Sequence, residues 1–560
     1  MDFIFLIIAI GAPLLASGSI ALLGATLGER SSSIGVGALW LSTGAALACL
    51  YQVVQGEPLL LTLSGFLPGP LSYTILLDRL AAVMMVLITG VSLVIHVYSQ
   101  RYMQGDQGYV RFFSLLGLLT FVLLSLVTSG NLFWLFICWH LVTWLLVHLL
   151  SFNAASAAAR AAALTTLRVQ GFGDATLLAG IVLIYAKFGT FDLAELFRAI
   201  HTSPAPAFWA GTVFEINAIT AITLLSLIAI MTKSAQFPFH VWLPGTIEAP
   251  TPVSAMLHAG IVNAGGFLVN RLAPLYGAAP ASLHLMFLIG GLTALIGATT
   301  MLTQSSIKRT LVYSTMGQMG YMIMECGLGA FALAVFHLCA HGLFKATLFL
   351  NSGANIQKAR NEFKLPGHEP VEKEIRFSLV TWATGLGVTL LLPLIILLAA
   401  HGLVHIPLFE TQGTLIFLFF AWVTSAQAIF SLYRLDAVAS WKVSLTMVAT
   451  LALIGLTYLW AGESFTHFLY PDTEQVATYF QAASWPKGLF DAVVALAAVL
   501  VIGVWILLYG RAHGMRFLVP GWLGTLQTRA YVAFLNGLYV EDALRAWGRR
   551  LGRMKARPRE

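Results

Sequence analysis

Charge is scarce in this chain: aspartate, glutamate, lysine and arginine make up 10% of its 560 residues, against about 25% in an average soluble domain. So few polar groups cannot cover a soluble globule of this length, and 58% hydrophobic residues with a mean hydropathy of +0.83 point the same way. The sequence is that of a polytopic membrane protein. Cysteine is nearly missing too. Cys49, Cys138, Cys326 and Cys339 all fall in apolar stretches without a CxxC spacing, which excludes an iron–sulfur cluster, a zinc site or a disulfide framework. There is no GxGxxG after a strand, no GxxxxGK[ST] loop and no soluble stretch long enough for a nucleotide domain. No metal, cofactor or nucleic acid is expected, and no enzymatic chemistry. Energy must come from an ion gradient or a partner subunit.

What is present is a succession of apolar runs about 20 residues long, the length of a membrane helix. They lie near 3–27, 33–54, 74–98, 112–129, 131–150, 161–186, 213–233, 253–273, 282–303, 309–328, 330–351, 375–402, 412–432, 442–461 and 487–510. The fold class is therefore all-α, with about fifteen transmembrane helices. The opening MDFIFLIIAI has no basic flank or small-residue cleavage site and is read as a permanent first span.

Basic residues set the orientation. Arg101 and Arg111 flank one loop; Lys358, Arg360, Lys364, Lys373 and Arg376 fill another; Arg545, Arg549, Arg550, Arg553, Lys555, Arg557 and Arg559 load the tail. Eight spans (112–351) and four (375–510) separate them, both even numbers, so one side holds all three. The positive-inside rule makes that side cytoplasmic, with the N-terminus outside and the C-terminus inside an inner (plasma) membrane. The tail is also read as either an orientation signal or a docking site for a partner or anionic lipid.

Ionisable side chains inside the spans are few, and each is costly in hydrocarbon unless paired, hydrated or functional. Lys233 ends a long apolar run and is followed by prolines 238, 244, 250 and 252. A charged group at an unwound helix is how many transporters build an ion site near the bilayer midplane. His337, His341 and Lys345 recur every four residues, each about 6 Å further along the axis and about 40° further round, so they form one polar stripe. Histidine exchanges protons near neutral pH; the alternative is hydrogen bonding between packed helices. His258 follows the unwound stretch and is placed to take a proton from the neighbourhood of Lys233. Lys308 is either a relay lysine or a helix-end residue snorkelling to the interface. Asp174, with Arg168 before it, is the nearest intramembrane carboxylate to offer Lys233 a counter-charge. His140 and His148 share a face of a Trp-rich span, where histidines are commonly structural. Glu325 and His401 stand near span ends and rank below the others.

KSAQFPFHVWLPGTIEAPTPVSAMLHAGIVNAGGF (233–267), KRTLVYSTMGQMGYM (308–322) and FHLCAHGLFKATLFLNSG (336–353) resemble the antiporter-like proton-translocating subunits of respiratory complex I and the large subunits of Mrp cation/proton antiporters. The resemblance runs from about residue 74 to 435. It implies two inverted five-helix repeats (112–273 and 282–435), each with a broken helix, between N-terminal helices (1–111), C-terminal helices (442–510) and a basic cytoplasmic tail (511–560). It implies a hydrated polar axis in which Lys233 is the broken-helix lysine, His258 the following-helix histidine, Lys308 the connecting lysine, and His337, His341 and Lys345 the second-half relay. In three places the chain departs from that pattern. CWH stands where the family has a glutamate, so His140 replaces the carboxylate expected to pair with Lys233. The second broken helix lacks a lysine or glutamate after Pro393, with His401 the nearest titratable group. No long lateral helix follows the last span.

The shortened form and the tail FLNGLYVEDALRAWGRR look like the membrane subunit of the DAB-type inorganic carbon transporters. That likeness implies a large cytoplasmic zinc-binding partner resembling a β-carbonic anhydrase, with inward proton or sodium flow driving hydration of carbon dioxide to bicarbonate. Two other functions compete. One is a pump or antiporter subunit of a complex I-like or Mrp-like assembly. The other is a non-conducting membrane scaffold, favoured by His140 and by the gap after Pro393.

Overall fold

A computed structural model of the chain describes residues 3–56, 58–63, 69–202, 207–208, 216–361, 460–493, 495–496, 499, 521–543 and 546. They divide between two compact units, the first taken from Met1–Gly327, Ala334–Asn361 and Tyr531–Glu560, the second from Leu328–Leu333 and Glu362–Ala530. His401, Pro393, the loop at 358–376 beyond Asn361, and the tail's arginines lie outside the described residues, as do the spans expected at 375–402 and 412–432.

In the first unit apolar runs become helices where expected: α1 (Ile4–Leu27), α2 (Ser31–Gln55), α3 (Arg79–Tyr102), α4 (Tyr109–Val127), α5 (Leu132–Leu150), α6 (Ala157–Phe188), a short α7 (Leu193–Thr202) and α8 (Ala218–Lys233). A ten-residue 3-10 segment (Phe239–Glu248) leads to α9 (Thr251–Ala259), a 3-10 turn (Ile261–Asn263), α10 (Ala264–Arg271), α11 (Ala273–Gly277), α12 (Pro280–Thr303), α13 (Ile307–Gly327) and α14 (Phe331–Asn361). Eight stretches among the described residues are long and apolar enough to cross a membrane, the first of them joining α1 and α2. Side-chain caps set the starts. Asp78 accepts the Ala81 N–H (2.8 Å), Asn131 that of Phe133 (2.9 Å) and Asn217 that of Ile219 (2.8 Å), each satisfying a donor that the first helical turn leaves open. α6 ends at Gly189, whose φ of 72° is open to glycine and strained for other residues.

One expected boundary is corrected. The span expected from residue 74 starts at Arg79, because Tyr73–Leu77 form strand β2, antiparallel to β1 (Leu59–Leu63) and rich in β-branched and aromatic residues. A second, two-residue pairing joins Ala207–Phe208 to Ile216–Asn217, and the fold remains that of an all-α membrane protein with two small strand pairs among the described residues. The run expected at 253–273 forms one candidate span, Thr251–Arg271, whose α-helix is interrupted at Gly260.

Loop contacts sort by face. Arg271 meets Asp78, Asn131 pairs with Asp192, and Ser129 bridges Ile75 at one end of the helices. Tyr102 meets Thr251, Gln100 bonds Ser32, and Arg111 bonds the Phe152 carbonyl at the other. That alternation is the one expected if α3–α6 each cross the membrane once.

Candidate ion-translocating site

α8 stops where its sequence turns from apolar to polar. Lys233 is its last residue, fully buried, and the following turn places Ala235 at φ 49° before the prolines prevent further α-helix. The freed backbone groups are satisfied locally: Trp242 Nε1 donates to the Thr232 carbonyl (2.8 Å), and Ser234 Oγ donates to the Val262 carbonyl (2.6 Å) and accepts from Gly265 N (3.2 Å). This is how irregular backbone survives at membrane depth.

The Lys233 ammonium sits between α5 and α6. Nζ donates to Thr143 Oγ1 (2.5 Å), to the Trp139 carbonyl (3.1 Å) and to Gln170 Oε1 (3.4 Å), lies 4.8 Å from the Trp139 ring centroid, and is 3.5 Å from Asp174 Oδ1. Asp174 Oδ2 accepts from Thr143 Oγ1 (3.0 Å) and is 2.9 Å from His140 Nδ1. Trp144 Nε1 donates to His140 Nε2 (2.8 Å), which leaves Nδ1 as the nitrogen that carries hydrogen toward Asp174. α6 comes this close to α8 because residue 173 is glycine: a Cβ there would overlap the Thr232 hydroxyl. One residue beyond each, Asp174 meets Lys233.

The expectation that His140 occupies the carboxylate's place against Lys233 is therefore corrected. The carboxylate has moved one helix over to Asp174, and His140 approaches Lys233 only through it. The His140 side chain is 41% exposed, whereas those of Asp174 and Lys233 are 3% and 1% exposed. Arg168 and His148 are exposed, and His148 Nδ1 bonds the Trp144 carbonyl (2.8 Å).

A second cluster forms where α13 and α14 pack. His337 Nδ1 lies 3.1 Å from Glu325 Oε2 and its Nε2 2.8 Å from Gln318 Oε1, while Lys345 Nζ donates to Ser314 Oγ (2.8 Å) and to the Leu311 carbonyl (3.3 Å). His341 lies between them, its ring 6.3 Å from that of His337. Glu325, ranked low on sequence for its place near a span end, is buried and paired. His258 stacks on Phe349 of α14 (4.3 Å between ring centroids) and contacts Thr246 (3.5 Å). It thus belongs with the second cluster rather than with Lys233. Lys308 is half-buried in the first turn of α13.

Sequence reasoning missed Thr143, Gln170, Ser314, Gln318 and Ser234. The first four carried a signal: 140 and 143, 170 and 174, and 311, 314, 318 and 325 recur at helical spacing beside residues already singled out. Among the described residues, His240 Nδ1, His258 Nδ1, Asn263 Oδ1 and both nitrogens of His341 are buried without a hydrogen-bond partner. Buried polar atoms of this kind are where internal water belongs. The described residues hold no group of three or more His, Cys, Asp or Glu that could ligate a metal.

The chain as a whole is similar to known proteins. A family profile described as NADH:quinone oxidoreductase/Mrp antiporter, transmembrane, covers residues 129–399, and one described as the N-terminus of complex I chain 5 covers 68–113. A Halothiobacillus neapolitanus protein described as "Probable inorganic carbon transporter subunit DabB1" is 41% identical over 537 residues, 95% of this chain and 94% of the relative. The chain belongs to the antiporter-like membrane subunits of the complex I/Mrp family. Subunit 5 of the chloroplastic NAD(P)H-quinone oxidoreductase of Draba nemorosa is 42% identical over half of this chain, and chain 5 of the NADH-ubiquinone oxidoreductase of Dictyostelium citrinum 37% identical over 62%. The chain covers only 37% and 53% of those two proteins. The fold also matches solved structures. The Mrp complex of Dietzia sp. DQ12-45-1b aligns over 98% of this chain and 60% of its own (TM-score 0.60, 23% identity). An archaeal membrane-bound sulfane sulfur reductase aligns over 95% and 98% (TM-score 0.56, 20% identity). The chain is a multi-pass, ion-translocating type of membrane subunit, of a kind that works within multi-subunit complexes.

Proposed function

We propose that this chain conducts protons or sodium across a cell inner membrane and couples that flow to inorganic carbon uptake by a large cytoplasmic zinc-binding, carbonic-anhydrase-like partner. The observation that carries the reading is the near full-length likeness to the probable inorganic carbon transporter subunit DabB1, where the complex I relatives match over about half of this chain. The geometry supports conduction rather than a scaffold. Asp174 supplies the carboxylate whose apparent loss at His140 spoke for a broken path. In this reading Lys233, Asp174 and His140 form the first ion-binding centre, and His258, His337, His341 and Lys345 the second. Water at the unpartnered nitrogens links His258 to His341, and Lys308 joins the path from the α13 end. His401 completes the second half. The chain itself performs no bond chemistry; the partner does. The C-terminus faces the cytoplasm, where the basic tail docks the partner.

A second reading, an antiporter or pump subunit of a complex I-like or Mrp-like assembly, is favoured by the family profile over 129–399. The deciding experiment is affinity purification of the tagged chain from its own membranes, followed by ion-flux measurement in vesicles. A large soluble zinc protein in the eluate and bicarbonate accumulation that collapses with the ion gradient support the first reading. Co-purifying membrane antiporter subunits, without zinc, support the second.

A further inference from the structure

Both ends of the element 251–271 are held by the same neighbour. At one end Tyr102 Oη accepts from Thr251 N (3.4 Å) and meets Thr251 Oγ1 (3.3 Å); at the other, the Arg271 guanidinium grips Asp78 (2.5 and 3.2 Å) and the Val127 carbonyl (2.9 Å). Tyr102 is the last residue of α3 and Asp78 its cap. Between these clamps a narrow apolar cavity separates Met84, Ile88 and Val91 of α3 from Ala259, Gly260 and Asn263. The cavity thus faces the one place where the clamped element is not α-helical.

The hydrogen bonds at that place have ready replacements. Asn263 N bonds the Gly260 carbonyl (3.1 Å) in 3-10 fashion, and the Asn263 side-chain Nδ2 takes the Ala259 carbonyl (2.8 Å) that Asn263 N would take in a continuous α-helix. Ser234 Oγ likewise holds the Val262 carbonyl and Gly265 N, groups that a continuous helix would pair with Gly266 N and the Ile261 carbonyl. Winding the turn into α-helix therefore releases the Asn263 amide and frees Ser234, the residue next to Lys233. Buried Asn263 Oδ1, unpartnered among the described residues, gives the wound form something to gain. On the far side, α14 touches this segment through Gly342, where a Cβ would come within 2.8 Å of the Ala259 carbonyl, one residue from His341.

We infer that residues 260–263 are a two-state joint, clamped at both ends by α3, which moves against the apolar cavity and couples the Lys233 turn, through Ser234, to the stacking of His258 on Phe349 of α14, the helix that carries His341 and Lys345. Its functional part rests on the ion-conducting reading; its mechanical part does not. Ser234 and Asn263 are positioning residues in this account.

Amide exchange on the full chain in nanodiscs tests the mechanics, and ion flux in vesicles the coupling. The amides of 260–266 should exchange at least about tenfold faster than those of 253–257 and 267–270, as a locally opening unit does. Val91→Phe, which fills the cavity, should slow that exchange about tenfold and cut flux several-fold without lowering the melting temperature. Leu87→Phe serves the same purpose if Val91→Phe does not fold. Ser234→Ala should quicken exchange at 262–265 and lower flux, with Ser234→Thr restoring both. Exchange at the joint no faster than in its flanks overturns the proposal, and so does a filled cavity that leaves flux unchanged. A wild-type chain with a fast joint, slowed by Val91→Phe, but no flux under any condition defeats the conduction reading and leaves the joint standing.

Discussion

Asp174 divides its carboxylate between two partners: Oδ1 lies 3.5 Å from Lys233 Nζ and Oδ2 lies 2.9 Å from His140 Nδ1. Those distances make a competition. Lys233, buried, and His140, half-exposed, draw on the same carboxylate through its two different oxygens. Thr143, which donates to Asp174 and accepts from Lys233, lets the two separate without leaving either bare. In the proposed path this shared carboxylate is the two-state element, paired with Lys233 in one state and turned to His140 in the other.

Removing either member should stop transport. Lys233→Ala and Asp174→Asn are each expected to lower ion flux in vesicles by about a hundredfold or more, the scale on which removal of an essential proton carrier acts. Lys233→Ala leaves Asp174 with only His140 and Thr143, so melting temperature should fall in the single variant and recover in Lys233→Ala/Asp174→Asn, which removes both charges. Flux should stay lost in the double variant. Near-normal flux in Lys233→Ala would remove the site from the pathway.

His140 should matter through the hydrogen it offers Asp174. His140→Gln keeps a donor near Asp174 and should retain part of the flux, whereas His140→Glu sets a second carboxylate beside the first and should lose more. The profile of flux against external pH should differ between the parent and His140→Gln, whose amide takes up no proton. Parent-like flux and pH profile in both variants would make His140 a packing residue.

The elements that are legible in the sequence share one property: they are long, predominantly apolar runs. α1, α2, α4, α5 and α12 begin and end within a few residues of where hydropathy alone puts them, and the prolines after Lys233 marked the unwinding that follows it. The break at Gly260 was not legible. IVNAGG reads as helix by composition, and what opens it is the Ser234 hydroxyl, supplied from a different helix. The same holds for the ion pair. Asp174 was recognised as a possible counter-charge, but choosing between it and His140 depends on Gly173 admitting Thr232, an approach between helices that no local pattern carries. Glu325 was undervalued because nearness to a span end was read as nearness to water.

The α13–α14 cluster should behave as one unit. His337 bridges Glu325 and Gln318, and His341 stands between His337 and Lys345, so a break at one member leaves the others without a route. His337→Ala, His341→Ala and Lys345→Ala should each cost nearly as much flux as all three together, the non-additivity expected of coupled sites. Glu325→Gln, which keeps a hydrogen-bonding group at the His337 contact but removes the charge, should fall between the parent and His337→Ala. Small losses that sum across the three would return the stripe to an ordinary helix-packing role.

Arg271 and Asp78 should carry stability, and should act on transport only as the clamp of the 260–263 joint. The guanidinium is buried and bound by two contacts to Asp78 and one to the Val127 carbonyl, closing the outer end of α10 against α3 and α4. Truncating one partner of a buried pair strands the other, at about 3 to 5 kcal/mol. Arg271→Ala should therefore melt many degrees below the parent. Asp78→Asn, whose side chain retains an acceptor for Arg271 and for the Ala81 N–H cap, should melt closer to it. Arg271→Met/Asp78→Asn should recover much of the loss, since neither charge is then left unpaired. Flux per folded protein, measured after normalising to the inserted fraction, should change less than twofold in Asp78→Asn, because the asparagine oxygen keeps the clamp's hydrogen bond to Arg271. A loss of flux in a well-folded Asp78→Asn variant would instead place the clamp within the conducting machinery.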